Sequence, residues 1–68
     1  MSYYQFLPGQ VAKDWLAVET FFIAQDGCPC LLESRITIKP KQDIPNNAFV
    51  SEAWYKELKK DYNFRKLT

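Results

Sequence analysis

The only closely spaced pair of soft metal ligands in the sequence is Cys28-Pro29-Cys30. Two thiolates supply half of a tetrahedral zinc site, and with no His in the chain only a second copy could complete it. A disulfide between residues two apart closes a strained ring that is readily reduced. We therefore interpret Cys30 as a small apolar residue and Cys28 as a turn residue, and we predict no metal and no cofactor.

Catalytic groups are scarce in this chain. The absence of His removes the commonest general base, the Ser-His and Cys-His nucleophile pairs and the imidazole metal ligand. A Gly-rich phosphate-binding loop is also absent, since the chain has two glycines. Glu19 is the one carboxylate predicted on an apolar face, where we interpret it as a rim residue or a partner contact. The sequence thus predicts a protein that is not an enzyme, with no catalytic residues and no small-molecule substrate.

Charge is distributed unevenly along the chain. Residues 1–34 have one basic and four acidic residues, a net charge of −3, whereas residues 35–68 have eight and four, a net charge of +4. The basic half suggests nucleic-acid binding as an alternative function, because Lys and Arg neutralise phosphates. Interleaved acidic residues and a pI of about 7.7 favour an ordinary solvated surface instead. The residues of the alternative site are Arg35, Lys39, Lys41, Lys56, Lys59, Lys60, Arg65 and Lys66.

The beginning of the sequence, MSYYQFLPGQ, lacks the basic and apolar segments of a secretory signal. Apolar runs nowhere approach the ~18 residues of a membrane span. Two cysteines are too few for a secreted disulfide scaffold. We therefore expect a cytoplasmic protein without a membrane partner.

The clearest local pattern predicts a β-hairpin over residues 15–24 and 30–38. Both segments are rich in β-branched and aromatic residues, and Asp26-Gly27 favours a two-residue type I′ turn between them. Pairing outward from such a turn sets Phe22 opposite Leu31 and predicts this apolar face: Trp15, Ala17, Phe21, Ile23, Cys30, Leu32, Ile36 and Ile38. A helical alternative stays open for residues 10–18, because four apolar residues follow a helical stripe: Val11, Trp15, Val18 and Phe22.

An amphipathic helix is predicted over about residues 48–62, beginning at Asn47 or Ser51 as N-cap, after a Pro-containing loop at 39–47. Its stripe comprises Val50, Trp54, Leu58 and Tyr62. Residues 2–7 form a candidate edge strand. The predicted fold is a single α+β domain over 1–68: a small antiparallel hairpin or three-stranded sheet with this C-terminal helix on one face. The predicted core is Trp15, Phe21, Ile23, Leu32, Ile36, Ile38, Val50, Trp54 and Leu58.

Aromatic residues make up 16% of the chain, more than one sheet and one helix need for their core. Protein interfaces are enriched in Tyr, Phe and Trp. The sequence therefore predicts a small non-catalytic protein-binding module. It would act as an accessory, regulatory or inhibitory protein by docking on a macromolecule, with a homodimer as one form of that association. The predicted interface residues are Tyr3, Tyr4, Phe6, Phe22, Leu31 and Tyr55.

Overall fold

The computed structural model describes residues 2–67, except for the side chains of Leu32 and Glu33. Within these residues, five antiparallel strands form one sheet in the order β3-β2-β4-β1-β5. The elements in chain order are β1 (Tyr3–Phe6), β2 (Leu16–Ile23), β3 (Pro29–Ile38), β4 (Ala48–Ser51), α1 (Glu52–Leu58) and β5 (Phe64–Lys66).

The predicted three-stranded sheet with a long C-terminal helix is wrong, although a mixture of strands and one helix was expected. Residues predicted to start the helix instead form β4, which pairs with both β1 and β2. The helix ends at Leu58, and β5 pairs with β1 so that Phe64 lies opposite Phe6. Local propensity favoured a continuous helix, but the hydrogen bonds of β1 to two neighbouring strands outweigh it.

The β2–β3 hairpin forms where predicted, but its turn is one residue longer. The N–H of Gly27 donates to the Ala24 carbonyl, and the N–H of Ala24 donates to the Cys28 carbonyl, each at 2.9 Å. Gly27 has a φ of 83°, whereas Asp26 has no positive φ. This is a three-residue loop, a type I turn followed by a left-handed glycine. The Asp26 side chain also accepts a hydrogen bond from the Cys28 N–H at 3.1 Å.

The longer loop shifts the pairing of β2 with β3 by one residue from the predicted register. The β2 residues predicted on the apolar face therefore lie on the opposite face of the hairpin from Ile36 and Ile38. Phe22 lies opposite Cys30 rather than Leu31, and Leu16 rather than Trp15 lies opposite Ile38. A second irregularity, between Glu19 and Phe21, places three β3 residues opposite Thr20. Because side chains alternate along a strand, the one-residue error assigns the wrong face of β2 to the core.

The main core lies between one face of the sheet, α1 and the loop that follows β3. Leu16 and Val18 of β2 pack there beside Ile38, and Tyr55 and Leu58 of α1 pack against the cluster. The buried members of this core are Phe6, Ala12, Leu16, Val18, Ile38, Ile44, Ala48, Val50 and Tyr62. We call this side of the sheet the covered face.

Residues 39–47 form a loop, as predicted, and the loop is held in place by backbone hydrogen bonds to residues 10–12. The N–H of Ala12 donates to Gln42 at 2.9 Å, and the N–H of Lys41 donates back to Ala12 at 2.7 Å. An isolated β-bridge joins Val11 to Asp43. The helical alternative for 10–18 is therefore wrong, and Ile44 reaches the core through this extended pairing.

The predicted core is partly correct. Phe21, Ile38 and Val50 are buried, and Ile36 and Leu58 pack partly buried against the main cluster. Trp15, Ile23 and Trp54 were placed in the core wrongly, since all three are exposed. The predicted core position of Leu32 lies outside the described side chains.

Candidate functional site

The face of the sheet opposite α1 and the loop, which we call the open face, contains the candidate site. Strand alternation and the observed register define its members. They are Tyr3, Gln5, Ala17, Glu19, Phe21, Ile23, Pro29, Leu31, Arg35, Thr37, Phe49, Ser51 and Arg65.

An aromatic cluster lies at the centre of the open face. Phe49 is 1% exposed, although it points away from the main core. The Tyr3 ring meets it edge-on with 5.5 Å between centroids, and the Phe21 ring lies 6.1 Å away. Edge-to-face and tilted geometries are favourable for aromatic pairs. The chain therefore has a small second apolar cluster that only its own side chains and solvent cover.

A groove of about 410 Å³ lies over this cluster. Tyr3, Ala17 and Phe49 of the open face line its apolar part, and Trp54 at the beginning of α1 forms part of its wall. Glu19, Arg35 and Ser51 supply its polar lining. Binding sites combine apolar walls with a small number of polar groups.

A row of paired residues crosses all five strands on the open face. In sheet order it runs Arg35, Glu19, Phe49, Gln5, Arg65. The Arg35 Nε lies 3.6 Å from a Glu19 carboxylate oxygen, and the Arg65 Nε donates to Gln5 Oε1 at 2.6 Å. Gln5 is buried and its amide also donates to the carbonyl of Asn46. Both arginines thus have partners, and the central part of the row is apolar.

Large apolar side chains lie exposed at both ends of the open face. Trp54 is 58% exposed beside the groove, and Trp15, which precedes β2, is 62% exposed. At the other end, the hairpin extends beyond β4, which pairs only with Glu19 and Thr20 of β2. Ile23 there is 59% exposed. Large exposed apolar residues therefore lie at both ends of β2, with half-buried Glu19 and buried Phe21 between them.

The structure separates the predicted interface residues. Tyr3 and Leu31 lie on the open face, and Phe22 is exposed at the hairpin tip on the opposite side of β2. Tyr4 and Tyr55 stack on each other with centroids 3.7 Å apart, against the covered face. Phe6 is fully buried and has no surface to offer a partner.

Sequence reasoning missed the residues with the most exposed apolar surface on this side, Trp15, Ile23 and Trp54, because it placed them in the core. Residues 15–24 have apolar side chains on both faces of the strand, whereas a sheet that is packed on one side usually has polar residues on the other. This feature of the sequence could have indicated the exposed apolar residues.

The predicted nucleic-acid residues lie on several different elements. Arg35 and Arg65 lie on the first and last strands of the sheet order. Four inter-strand spacings of about 4.8 Å separate such strands by about 19 Å. The remaining residues are distributed over the loop after β3, α1 with the turn that follows it, and β5: Lys39, Lys41, Lys56, Lys59, Lys60 and Lys66.

The two cysteines lie in the hairpin as free thiols, Cys28 exposed and Cys30 half-buried. The Cys30 thiol lies 3.9 Å from the Cys28 carbonyl oxygen, a weak contact within the turn. Among the described side chains, no group of three or more His, Cys, Asp or Glu residues is placed to hold a metal ion.

No protein-family model, curated protein or solved structure matches this chain. Between residues 2 and 67, no helix has the length and apolar character needed to cross a membrane.

Proposed function

We propose that this chain is a non-catalytic protein-binding module that docks on its partner through the open face. Such docking would let it act as an accessory, regulatory or inhibitory protein by covering a surface of the partner. The observation that supports this proposal is the exposure of two large apolar side chains on the open face, Trp54 beside the groove and Ile23 at the hairpin end. Exposed apolar side chains beside a groove are typical of interaction surfaces.

The electrostatics of the open face favour a protein over a nucleic acid as partner. Nucleic-acid interfaces depend on Lys and Arg that neutralise phosphates, and they are far more basic than protein interfaces. The polar row has two arginines and one glutamate, and each arginine already has a partner in Glu19 or Gln5. A near-neutral apolar surface with an exposed Trp resembles the hot spot of a protein interface.

A cytoplasmic location is part of the proposal. Its support is the pair of free thiols at Cys28 and Cys30. Thiols persist in compartments that glutathione and thioredoxin keep reduced.

Site-specific photo-crosslinking in cells tests the docking proposal directly. p-Benzoyl-L-phenylalanine is introduced in place of Trp54 in one variant and in place of Phe22 in a matched control. Phe22 is 50% exposed but lies on the other face of the hairpin. The proposal predicts discrete protein adducts from the Trp54 position and few or none from the Phe22 position.

Two outcomes would contradict the proposal. Equal adducts from both positions, or none from Trp54, would show that the open face is not a docking surface. Adducts that are sensitive to nuclease would support nucleic-acid binding instead. Replacing Lys56, Lys59 and Lys60 with Glu would then show whether the helix contributes to it.

A further inference from the structure

We propose that Cys28 and Cys30 form a two-thiolate site for a single Cu(I) ion at the tip of the β2–β3 hairpin. This inference goes beyond the proposed function and does not depend on the open face. Three properties of the hairpin tip support it, namely the side of the hairpin on which the two thiols lie, the distance between them and the kinds of ligand beside them.

Both cysteines lie on the side of the hairpin that is turned away from the open face. The observed pairing sets Cys30 opposite Phe22, and the N–H of Ala24 donates to the Cys28 carbonyl at 2.9 Å. These contacts hold residues 28–30 extended beside β2, so side chains two residues apart project from the same side. The Cys30 Sγ lies toward its neighbour, 3.9 Å from the Cys28 carbonyl oxygen. The hairpin therefore places the two thiols side by side.

The spacing of the two thiols suits a bridging ion better than a disulfide. Side chains on the same side of a strand are about 6.6 Å apart, twice the rise per residue. A disulfide needs β-carbons about 3.8 Å apart, so it would require the backbone to bend. A metal–thiolate bond is about 2.3 Å long, and an ion in line between two thiolates holds their sulfur atoms about 4.6 Å apart. A displacement of about 1 Å by each thiol is enough to reach that distance.

The ligands at the hairpin tip select a soft ion that needs few bonds. Thiolates favour Cu(I), whereas carboxylates and carbonyls favour hard ions. Zn²⁺ takes four ligands, and among the described side chains no group of three or more His, Cys, Asp or Glu residues is placed to supply them. The carboxylate of Asp26 already accepts the Cys28 N–H at 3.1 Å. Cu(I) is stable between two thiolates in a line, so the pair completes its site.

An incoming ion can reach both thiols, because Cys28 is exposed and Cys30 is half-buried. Binding forms two Cu–S bonds and releases the two thiol protons to solvent. Copper remains Cu(I) throughout, so the step consumes no oxidant and no reductant. The site requires that both thiols stay reduced, which agrees with the cytoplasmic location proposed above.

Competition with bicinchoninate, a coloured chelator of Cu(I), tests the proposal. The purified, reduced chain is titrated with Cu(I) in the absence of oxygen, and the absorbance of the chelator complex measures the ion that the protein does not hold. We expect one Cu(I) per chain, and an excess of Zn²⁺ should leave it bound. Cys28→Ser and Cys30→Ser are each expected to weaken binding at least about 100-fold, the lower end of the gain from a tethered second ligand.

A variant that keeps two thiols but moves one of them to the other side of β3 is the matched control. Cys30→Ser combined with Leu31→Cys places the second thiol on the open face. We expect this variant to bind Cu(I) no more tightly than the single-serine variants, because the gain from a second ligand is lost when the two cannot engage together. A circular dichroism melt of each variant establishes folding, and Cys28→Ser, in the exposed turn, remains a test should a change at Cys30 prevent folding.

Equal affinity of the wild-type chain and the single-serine variants would overturn the proposal. One Cu(I) per two chains would also overturn it, because the ion would then bridge two copies. Displacement by an excess of Zn²⁺ would contradict the selection of a soft ion. The photo-crosslinking experiment on the open face does not involve either cysteine, so the docking function and the Cu(I) site can each fail without the other.

Discussion

The two faces of the sheet are built from the same kinds of residue but have different surroundings. The covered face packs beneath α1 and the loop after β3, and its Phe6 is fully buried. The open face has a phenylalanine buried almost as completely, Phe49, whose ring packs against Tyr3 and Phe21 of the same sheet. Antiparallel sheets with one packed face usually present polar residues on the other. The comparison shows that the covered face contains the main core, whereas the open face leaves Trp54 and Ile23 exposed.

The largest expected effect comes from truncating the two buried phenylalanines in parallel. Phe6→Ala is expected to lower the unfolding free energy by about 4 kcal/mol, because the surrounding core cannot fill the cavity. Phe49→Ala should cost about 3 kcal/mol, the low end of the range for such truncations, since Tyr3 and Trp54 can relax into the groove. Urea denaturation followed by circular dichroism, at a protein concentration below any association, measures both values.

An equal or larger loss for Phe49→Ala would mean that the open face is a full second core, and the contrast between the faces would fail. Should Phe6→Ala not fold, Phe6→Leu and Phe49→Leu provide the same comparison at a cost of about 1 kcal/mol each.

The next comparison concerns two adjacent residues of opposite exposure, Trp15 just before β2 and Leu16 at its first position. Leu16→Ala is expected to cost about 3 kcal/mol, because Leu16 is buried opposite Ile38. Trp15→Ala should cost less than about 1 kcal/mol, since most of that side chain is already in solvent. Denaturation midpoints at a constant m-value measure the difference. A larger loss of stability for Trp15→Ala than for Leu16→Ala would support the register predicted from the sequence, in which Trp15 rather than Leu16 lies opposite Ile38.

A smaller effect is expected from one hydroxyl on the covered side. The Tyr62 hydroxyl accepts a hydrogen bond from the Lys13 N–H at 2.7 Å, and Tyr62 is buried. Tyr62→Phe leaves that N–H without its acceptor and should cost about 1–2 kcal/mol. Tyr3→Phe, the matched change on the open face, is expected to stay within about 0.5 kcal/mol. Thermal unfolding of the two variants side by side would show equal losses only if Tyr3 had a comparable hydrogen-bonding role.

The smallest expected effect lies in the hairpin turn. Gly27 adopts a φ of 83°, and a Cβ added there meets no atom within 4 Å. Gly27→Ala should therefore cost only the conformational penalty of a left-handed residue, about 1 kcal/mol. Gly27→Asn is expected to cost less, because Asn tolerates this region. Urea denaturation measures the change in the free energy of unfolding. No change for Gly27→Ala would contradict the left-handed conformation of Gly27, and with it the three-residue turn that sets the register of β2 and β3.

Part of the fold could be predicted from short stretches of sequence. The alternation of residues 15–24 and 30–38 around Asp26-Gly27 predicted β2 and β3 to within one residue at each end. Residues 2–7 were a correct candidate for β1, although their partners were not identified. The helix predicted over 48–62 includes α1 but is too long at both ends, since α1 covers only Glu52–Leu58. Each of these predictions depends on residues that are neighbours in the chain.

The candidate site was harder to predict, because its residues meet only after long-range pairing. Tyr3, Phe49 and Trp54 come together because β4 pairs with β1 and leads directly into α1. Residues 48–51 have no local feature that excludes a helix, so β4 was assigned to one. Trp15 was placed in the core by the one-residue error in register, and Trp54 by the apolar stripe of a helix predicted over 48–62 that covers only Glu52–Leu58.

The amino-acid sequence by itself determined the position of the hairpin, the absence of imidazole chemistry and the near-neutral charge of the chain. These follow from residue types and their immediate neighbours. The tertiary structure decided which face of β2 became the core, because one additional residue in the turn exchanges the two faces. It also decided that residues 48–51 and 64–66 are strands, because these segments form backbone hydrogen bonds with the two edges of β1. Those backbone hydrogen bonds exist only between segments far apart in the chain, so no local pattern encodes them.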